Sequence, residues 1–480
     1  MNYKIIIKIL GRILFLEGLL LIFPLIVSLI YHENTYLSFI IPICFLLVTG
    51  LLLSFIKPEK KTFYAKEGFV VVGLSWILLS VFGAFPFFIS REIPSYINAL
   101  FETVSGFTTT GATILENVEG LSKGMNFWRC LTHWIGGMGV LVFILAILPS
   151  SDGQNIHLLK AESTGPQVGK LVSKVRFTAR ILYLIYLALT IVEAIMLLCG
   201  GLSIYDSLTT SFATAGTGGF GIYNDSVASF NTYSQIVIGV FMLIFGINFN
   251  IFYLILIGKF KQAIKSEELR WYVSIVFISV VLICMNLIFS LDYTFSDALL
   301  HSFFQVSSII TTTGFSSVDF NLWPSFSKSV LFILMYVGAC AGSTGGGLKV
   351  SRLVILLKSL KREINKLIHP YSVSHIKFEG VAVDEDVVKG VNGYFVTLVV
   401  LSAFFCLLIS VDGKDFTTNI SAVAACINNI GPGFNEVGPL GNFDLFSPFS
   451  KIVLSFAMLI GRLEIYPILI LFIPKVFTKR

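Results

Sequence analysis

Charge is scarce in this sequence: Asp, Glu, Lys and Arg make up 13% of its 480 residues, about half the ~25% of a soluble domain. Trp and His are scarcer still, at 5 and 6 against 45 Phe. The histidines are dispersed, so no Ser/His or His/carboxylate constellation gathers in one stretch, and the chain does not read as an enzyme. Seven cysteines stand singly in or beside apolar runs, with no CxxC and no Cys/His pairing. That excludes a disulfide scaffold and leaves them as small buried hydrophobes. The net charge of +6 carries no polyanion signal, because in so apolar a chain the placement of Lys and Arg is what informs. A nucleic-acid binder is excluded. What fills the chain is 55% hydrophobic and 14% aromatic, the composition of an all-α polytopic membrane protein set in a lipid bilayer.

A helix crosses a bilayer with ~20 apolar residues. Ten such stretches lie near 9–30, 36–56, 68–89, 126–148, 178–200, 232–258, 270–290, 326–358, 391–410 and 448–474. The first follows Lys4, Lys8 and Arg12 as a signal peptide would, but it is long and no small-residue cleavage site comes after it, so an uncleaved span is expected. The N-terminal tip and segments 57–66, 149–180, 259–270, 349–389 and 475–480 hold 27 of the 34 Lys and Arg. The alternate connections hold only Arg91, Lys123 and Lys414. The positive-inside rule then puts both termini in the cytoplasm and the multi-pass chain in the cytoplasmic (inner) membrane.

Four of the five outer connections share a layout of polar start, short apolar run and Thr/Gly cluster. They read SYINALFETVSGFTTTGAT (95–113), SIYDSLTTSFATAGTGGFG (203–221), TFSDALLHSFFQVSSIITTTGFSS (294–317) and DFTTNISAVAACINNIGPGF (415–434). Runs of this length are too short to span and too apolar for solvent, which points to re-entrant segments. Aligning the clusters brings Gly111, Gly219, Gly314 and Gly431 into register, at intervals of 108, 95 and 117 residues. The chain thus divides into two extra N-terminal spans (1–66) and four span–pore-loop–span repeats at 67–150, 151–262, 263–370 and 371–480, set about a pseudo-fourfold pore. Non-helical backbone at membrane depth survives only where it lines water or is buried in protein. Four such segments on one axis present rings of carbonyls that can replace an ion's hydration shell. Glycine lets the carbonyls face the axis, and each short helix would turn a partial charge of about −0.5 toward a cation. Gly and Thr also serve helix packing in membranes, but four matching clusters outweigh that alternative.

One acid stands five or six residues past each aligned glycine: Glu116, Asp225, Asp319 and Glu436. Singly these read as solvated loop charges; together they suggest an outer vestibule that concentrates cations. The second span of repeat three is interrupted by Gly338, Gly342, Gly345, Gly346 and Gly347, each costing a helix ~1 kcal/mol. Helix should fail there, and a phosphate-binding loop is excluded because no strand precedes it and no GK[ST] follows. Lys349 and Arg352 are expected to be positive-inside anchors. Arg462, midway along the last span, either forms a cationic barrier below the glycines or snorkels to the surface. Glu464, two positions on, points elsewhere on a helix. Arg129 and His133 have no partner nearby in sequence, and His133 is expected to pack or hydrogen-bond. Glu102, Asp297 and His301 should brace the short helices, with Asp297 and His301 one turn apart and able to pair.

With HWIGGMG (133–139), GACAGSTGGGLKV (338–350) and GRLE (461–464) added to the four clusters, the chain resembles, over essentially its whole length, the Trk/Ktr/HKT superfamily of K⁺ transporters. The two extra N-terminal spans look like those of the TrkH-type membrane subunit. The resemblance implies K⁺ uptake through a filter of Thr109, Thr110 and Gly111; Thr217, Gly218 and Gly219; Thr312, Thr313 and Gly314; and Asn429, Ile430 and Gly431. K⁺ would be the transported ion and the only metal, held at the filter, with no cofactor in this chain. Some Na⁺-selective plant relatives carry Ser at the first glycine, so four glycines favour K⁺. Gly218 and Ile430 depart from the Thr of the other repeats, and the repeats are expected to be unequal ligands. The five interrupting glycines and Arg462 would form the gate. The resemblance further implies a homodimer and a cytosolic, TrkA-like nucleotide-binding subunit docked on the inner segments 149–180 and 349–389. The alternative is a secondary symporter coupling K⁺ to Na⁺ or H⁺. It needs a carboxylate buried in a span, for which Glu17 and Glu193 are available, each near a bilayer edge or with an easier structural role.

Overall fold

The computed structural model describes residues 1–57, 65–139, 175–371 and 374–474. Two N-terminal helices, α1 (Tyr3–Leu20) and α2 (Ile22–Ile30), precede α3 (Tyr36–Ser54). A Cβ on Gly50 would strike Phe15 N and Gly11 O, so α1 and α3 lie backbone against backbone, the close approach small residues permit in membranes. Four units follow. The first is α4 (Ala65–Gly83), α5 (Phe85–Ser90), α6 (Tyr96–Phe107) and α7 (Lys123–Gly137); the second is α8 (Val175–Cys199), α9 (Ile204–Ala215), α10 (Thr232–Phe245), α11 (Phe249–Leu256) and α12 (Phe260–Lys265). The third is α13 (Glu267–Leu291), α14 (Phe295–Ile310), α15 (Ser325–Val337) and α16 (Val350–Ile368). A small antiparallel pair, β1 (Lys377–Phe378) and β2 (Val381–Ala382), leads to the fourth: α17 (Glu385–Ile409), α18 (Phe416–Ile427), α19 (Pro448–Arg462) and α20 (Tyr466–Leu471).

The short helices α6, α9, α14 and α18 start behind Ser95, Ser203, Thr294 and Asp415. The last three side chains accept the N–H of Asp206, Asp297 and Thr417, the usual way an N-terminus is satisfied. Among the described residues, six helical stretches are long and apolar enough to cross a membrane: Tyr3–Ile30, Tyr36–Ser54, Lys66–Ser90, Ala179–Cys199, Glu267–Leu291 and Glu385–Asp412. These are the N-terminal pair and the first span of each unit. α13 turns Phe277, Met285 and Phe289 outward, a face suited to lipid.

The second helices differ from expectation. The sequence suggests continuous spans at 126–148, 232–258 and 448–474, with an interruption only within 326–358. Instead α7, α10, α15 and α19 run for 15, 14, 13 and 15 residues and then end. At ~1.5 Å per residue each falls short of a ~30 Å hydrocarbon core. α7 gives way at Met138 and Gly139, which has φ +79°. α10 and α11 meet at 91° across Gly246, Ile247 and Asn248. α19 stops where Glu464 and Ile465 turn left-handed, at φ 55° and 69°. Gly461 precedes this last break and Pro467 follows it, but the turn itself falls on residues other than glycine, and a β-branched residue at positive φ is uncommon. It is held by bonds from Ile465 N to Ile460 O and from Tyr466 N to Glu464 O, both 2.8 Å. Residues 140–148 of the first of these spans, and 149–174 of the basic segment after it, lie outside the described residues.

Candidate functional site

The four short helices end alike, each four residues before its glycine. The N–H groups of Thr110, Gly218, Thr313 and Ile430 reach back to the carbonyls of Ser105, Ala213, Ser308 and Ala425 at 2.8–2.9 Å. Those of Thr109, Thr217, Thr312 and Asn429 reach Gly106, Thr214, Ile309 and Cys426. This is the Schellman ending, whose left-handed position normally belongs to glycine. Here Thr109, Thr217, Thr312 and Asn429 occupy it, at φ 54°, 51°, 58° and 56°. A strained backbone of this kind costs ~1–3 kcal/mol per residue and persists where the surroundings impose it. Two residues on, Gly111, Gly219, Gly314 and Gly431 have φ 80°, 75°, 88° and 96°. Left-handed residues at alternate positions turn successive carbonyls to one side of the chain, where an ordinary strand would alternate them.

The segments meet in cyclic order. A Cβ on Gly111 would collide with the carbonyl oxygen of Gly218, on Gly219 with that of Thr313, on Gly314 with that of Ile430, and on Gly431 with that of Thr110. Each glycine therefore seats against the carbonyl that precedes the next glycine, and the circle closes. Gly218 and Ile430 differ in side chain from the Thr of the other repeats, yet at this level all four copies place a backbone carbonyl in the same register. The inequality lies one residue earlier. Asn429 donates through Nδ2 to Thr110 Oγ1 and to Met458 O, both at 2.9 Å.

A cavity of about 140 Å³ opens on one side of the four glycines. Of the four acids singled out in the sequence, only Glu116 lines it. Asp225 accepts the Ser229 hydroxyl at 3.4 Å, Asp319 accepts the Asn321 N–H at 2.9 Å, and Glu436 faces Lys414 at 3.3 Å. Those three are absorbed by local loop structure, so the acids do not gather into a ring at the cavity.

On the other side lies the 338–349 loop. Gly346 N donates to Thr312 Oγ1 at 2.6 Å, directly beneath the third segment. Gly338 and Gly347, both at positive φ, are folded so close that a Cβ on Gly347 would strike Gly338 and one on Gly338 the Gly346 carbonyl. The loop is also sewn to the bend of unit two: Cys340 N donates to Gly246 O, Thr344 N to Phe245 O, and Phe249 N to Gly342 O. Arg462 ties it to unit one. The guanidinium donates to Thr344 O at 2.7 Å and to Gly136 O and Gly137 O at 2.5 and 2.8 Å. These are carbonyls at the C-terminus of α7, whose partial negative charge favours a cation. Arg462 does not snorkel.

Lys349 and Arg352 are not surface anchors. Lys349 is buried and donates to Gly345 O within the loop. Arg352 is buried, bonded to Glu464 at 2.5 Å, and stacked 4.0 Å from the Tyr394 ring. Glu464 reaches it because the break after Arg462 redirects that side chain. Sequence reasoning also missed Glu268, which is buried on α13 and accepts the N–H of Ala341 at 2.7 Å and of Ser351 at 3.1 Å. It anchors both ends of the loop. Glu268→Ala leaves two buried donors unpaired, at ~1–3 kcal/mol each, and should lower the thermal midpoint clearly; Glu268→Gln, which keeps an acceptor oxygen, should lose less.

Arg129 and His133, without partners in sequence, have them in space. Arg129 pairs with Glu102 at 2.8 Å, fully buried. His133 bonds Gly106 O through Nδ1 at 2.8 Å and accepts the Phe220 N–H at Nε2, 3.2 Å away. Asp297 and His301 do not pair: Asp297 takes the Thr294 hydroxyl at 2.7 Å, and His301 bonds Ser317 Oγ at 3.1 Å. Glu17 and Glu193 are fully buried in the protein, Glu17 against Gly83 and Glu193 beside Thr214. Among the described residues no cluster of three or more His, Cys, Asp or Glu is placed to hold a metal ion.

Comparison with known proteins agrees with this architecture. A family model described as TrkH, cation transport protein, matches residues 32–479. The chain is 35% identical over 487 residues to the Trk system potassium uptake protein TrkH of Escherichia coli (strain K12), covering all of both. It is 33% identical to the Trk system potassium uptake protein TrkG of the same organism, over 98% of each chain. The crystal structure of the potassium transporter TrkH from Vibrio parahaemolyticus superposes with a TM-score of 0.90 at 32% identity, again over the whole of both chains. Four short helices ending in left-handed Thr or Asn, four glycines in a closed ring and this likeness along the full length lead to one assignment: the chain belongs to the TrkH family of cation transport proteins, transporters rather than enzymes.

Proposed function

We propose that this chain takes up K⁺ across the cytoplasmic membrane through a selectivity filter made of Thr109, Thr110 and Gly111 with their counterparts Thr217, Gly218 and Gly219; Thr312, Thr313 and Gly314; and Asn429, Ile430 and Gly431. The observation that carries the reading is the closed circle in which each glycine seats against its neighbour's carbonyl. Carbonyls converging on one axis replace the hydration shell of a cation, and the ends of the four short helices add negative potential there. Relatives named for potassium uptake support the identity of the ion. K⁺ is held at the filter only, and the reading needs no cofactor. Glu116 draws cations to the mouth. Asp225, Asp319 and Glu436 contribute to that field from farther out.

The 338–349 loop, with Gly338, Gly342, Gly345, Gly346 and Gly347, is the gate, and Arg462 is its latch. The bias of Lys and Arg supports a cytoplasmic position for both termini and for the gate. The relatives' naming as components of a Trk system supports docking of a cytosolic, TrkA-like nucleotide-binding subunit near the basic 349–389 segment, and a homodimer as the assembled form.

The test is radioactive Rb⁺ uptake into K⁺-loaded liposomes holding the purified protein. Excess external K⁺ should block uptake and excess Na⁺ should not; equal competition by Na⁺ overturns the reading. Burial of Glu17 and Glu193 keeps the symport alternative in view. Uptake that persists with Na⁺ and H⁺ gradients collapsed, in wild type and in Glu193→Gln alike, excludes coupling.

A further inference from the structure

One charge pair behind the filter has no counterpart in the other three repeats. Glu102 stands nine residues before Gly111, where the other repeats carry Thr210, Gln305 and Ala422. Arg129 is the seventh residue of α7, and the seventh residues of α10, α15 and α19 are the buried Ile238, Leu331 and Leu454. Three quarters of the ring pack without ions at these places. A buried pair costs more to desolvate than apolar groups of similar size, so packing alone does not account for it.

Its partners do. One Glu102 oxygen accepts the Arg129 Nε–H and the Thr113 hydroxyl, and the other accepts the Ile114 N–H at 3.0 Å. Thr113 and Ile114 lie two and three residues past Gly111. Arg129 also donates to Gly221 O at 3.2 Å, and its guanidinium lies 4.1 Å from the centre of the Phe220 ring. Phe220 and Gly221 directly follow Gly219. The pair therefore brackets segments one and two at the junction where Gly111 seats against the Gly218 carbonyl. At the other junctions the filter segments themselves are joined by uncharged bonds, Val227 N to Ser316 O, Asn435 N to Asn321 Oδ1 and Phe443 N to Thr113 O; Lys451 and Asp444 of unit four reach unit one only at Asn98, thirteen residues before Gly111. Charge-assisted bonds are roughly twice as strong as neutral ones.

We propose that Glu102 and Arg129 are positioning residues that fix the separation of filter segments one and two, and so set discrimination of K⁺ from Na⁺ in that quarter of the ring. The inference rests on the filter reading above. Neither side chain has to touch the ion, because the field and size of a carbonyl cage are set by where its strands are held.

The test compares half-blocking concentrations of Na⁺ and K⁺ against Rb⁺ uptake in liposomes, for wild type, Glu102→Gln, Arg129→Gln, Arg129→Lys and Thr113→Val. Lys358→Met, which breaks the remote Lys358–Glu267 pair, is the control. The Na⁺/K⁺ concentration ratio should fall about tenfold in Glu102→Gln and Arg129→Gln, the scale expected of a sub-ångström misplacement. Arg129→Lys should not restore it, since one ammonium cannot serve Glu102 and Gly221 together. Lys358→Met should keep the wild-type ratio. Thr113→Val carries no charge change, so it reads the bracket even where the charge variants fail to yield monodisperse protein; it should lower the ratio in the same direction. Ratios equal to wild type in the folded variants, or full rescue by Lys, overturn the inference and leave the filter reading standing. A wild type that does not distinguish Na⁺ from K⁺ overturns both.

Discussion

Gly314→Ala should cut K⁺-blocked Rb⁺ uptake roughly 100-fold, the order expected when reacting or binding groups are displaced by about 1 Å. Two effects act together. At φ 88° an alanine is strained wherever its methyl lies. The methyl also has nowhere to go, because its position falls on the Ile430 carbonyl and within 2.8 Å of Pro432 Cδ. Neither neighbour is the far end of a flexible side chain. The Ile430 carbonyl must turn, and with it goes one quarter of the proposed ion-binding ring. Gly201 supplies the contrast: it has φ 90° but open space around its Cβ position. Gly201→Ala pays the conformational cost alone and should keep selectivity with some loss of stability. Uptake and selectivity in Gly314→Ala that match wild type would count against the seating of glycine on carbonyl as the basis of the filter.

Removing the guanidinium of Arg462 should act in the opposite direction. Arg462→Ala frees Thr344, Gly136 and Gly137 of three charge-assisted hydrogen bonds, each worth ~1.5–3 kcal/mol. Water and rearrangement recover much of that. A residual loss of ~1.4 kcal/mol from the closed state alone gives a tenfold gain in open population. Uptake without any partner protein should therefore rise about tenfold. Arg462→Lys retains the charge on a single point and reaches fewer of the three carbonyls, so it should fall between. An unchanged rate in both variants removes Arg462 from the gate.

Much of the fold was legible because it rests on features that repeat. Spans announce themselves by length, the short helices by Ser95, Ser203, Thr294 and Asp415 ahead of apolar runs, and the ring by four glycines in register. The loop was legible because Gly338 to Gly347 cannot remain helical. What stayed hidden depends on contacts between distant parts of the chain. Gly461 and Pro467 flank the break at Glu464 and Ile465, but neither residue that takes positive φ favours it, so nothing local says which way the chain turns. Glu464 bonds Arg352 on α16, 112 residues away in sequence. Glu268, 73 residues before the Ala341 N–H it accepts, reads in sequence as one of two acids opening a helix. The acids beyond the glycines looked alike by spacing, yet Asp319 is drawn into a turn and Glu436 toward Lys414. Spacing gives register, not the local partner that claims a side chain first.

The four second helices that end after 13–15 residues carry a consequence for how such a pore can change over time. In a ring of identical chains every substitution arrives fourfold, so a guanidinium at the constriction would place four positive charges on the axis of a cation path. Because the quarters here are separate stretches of one polypeptide, each break could take a different trade. The third runs on into a loop, the second bends and holds that loop, and the fourth carries a single arginine that reaches across to the first. One codon alters one wall. A closure mechanism can then be assembled from unlike parts while the carbonyl ring above it keeps its near-symmetry.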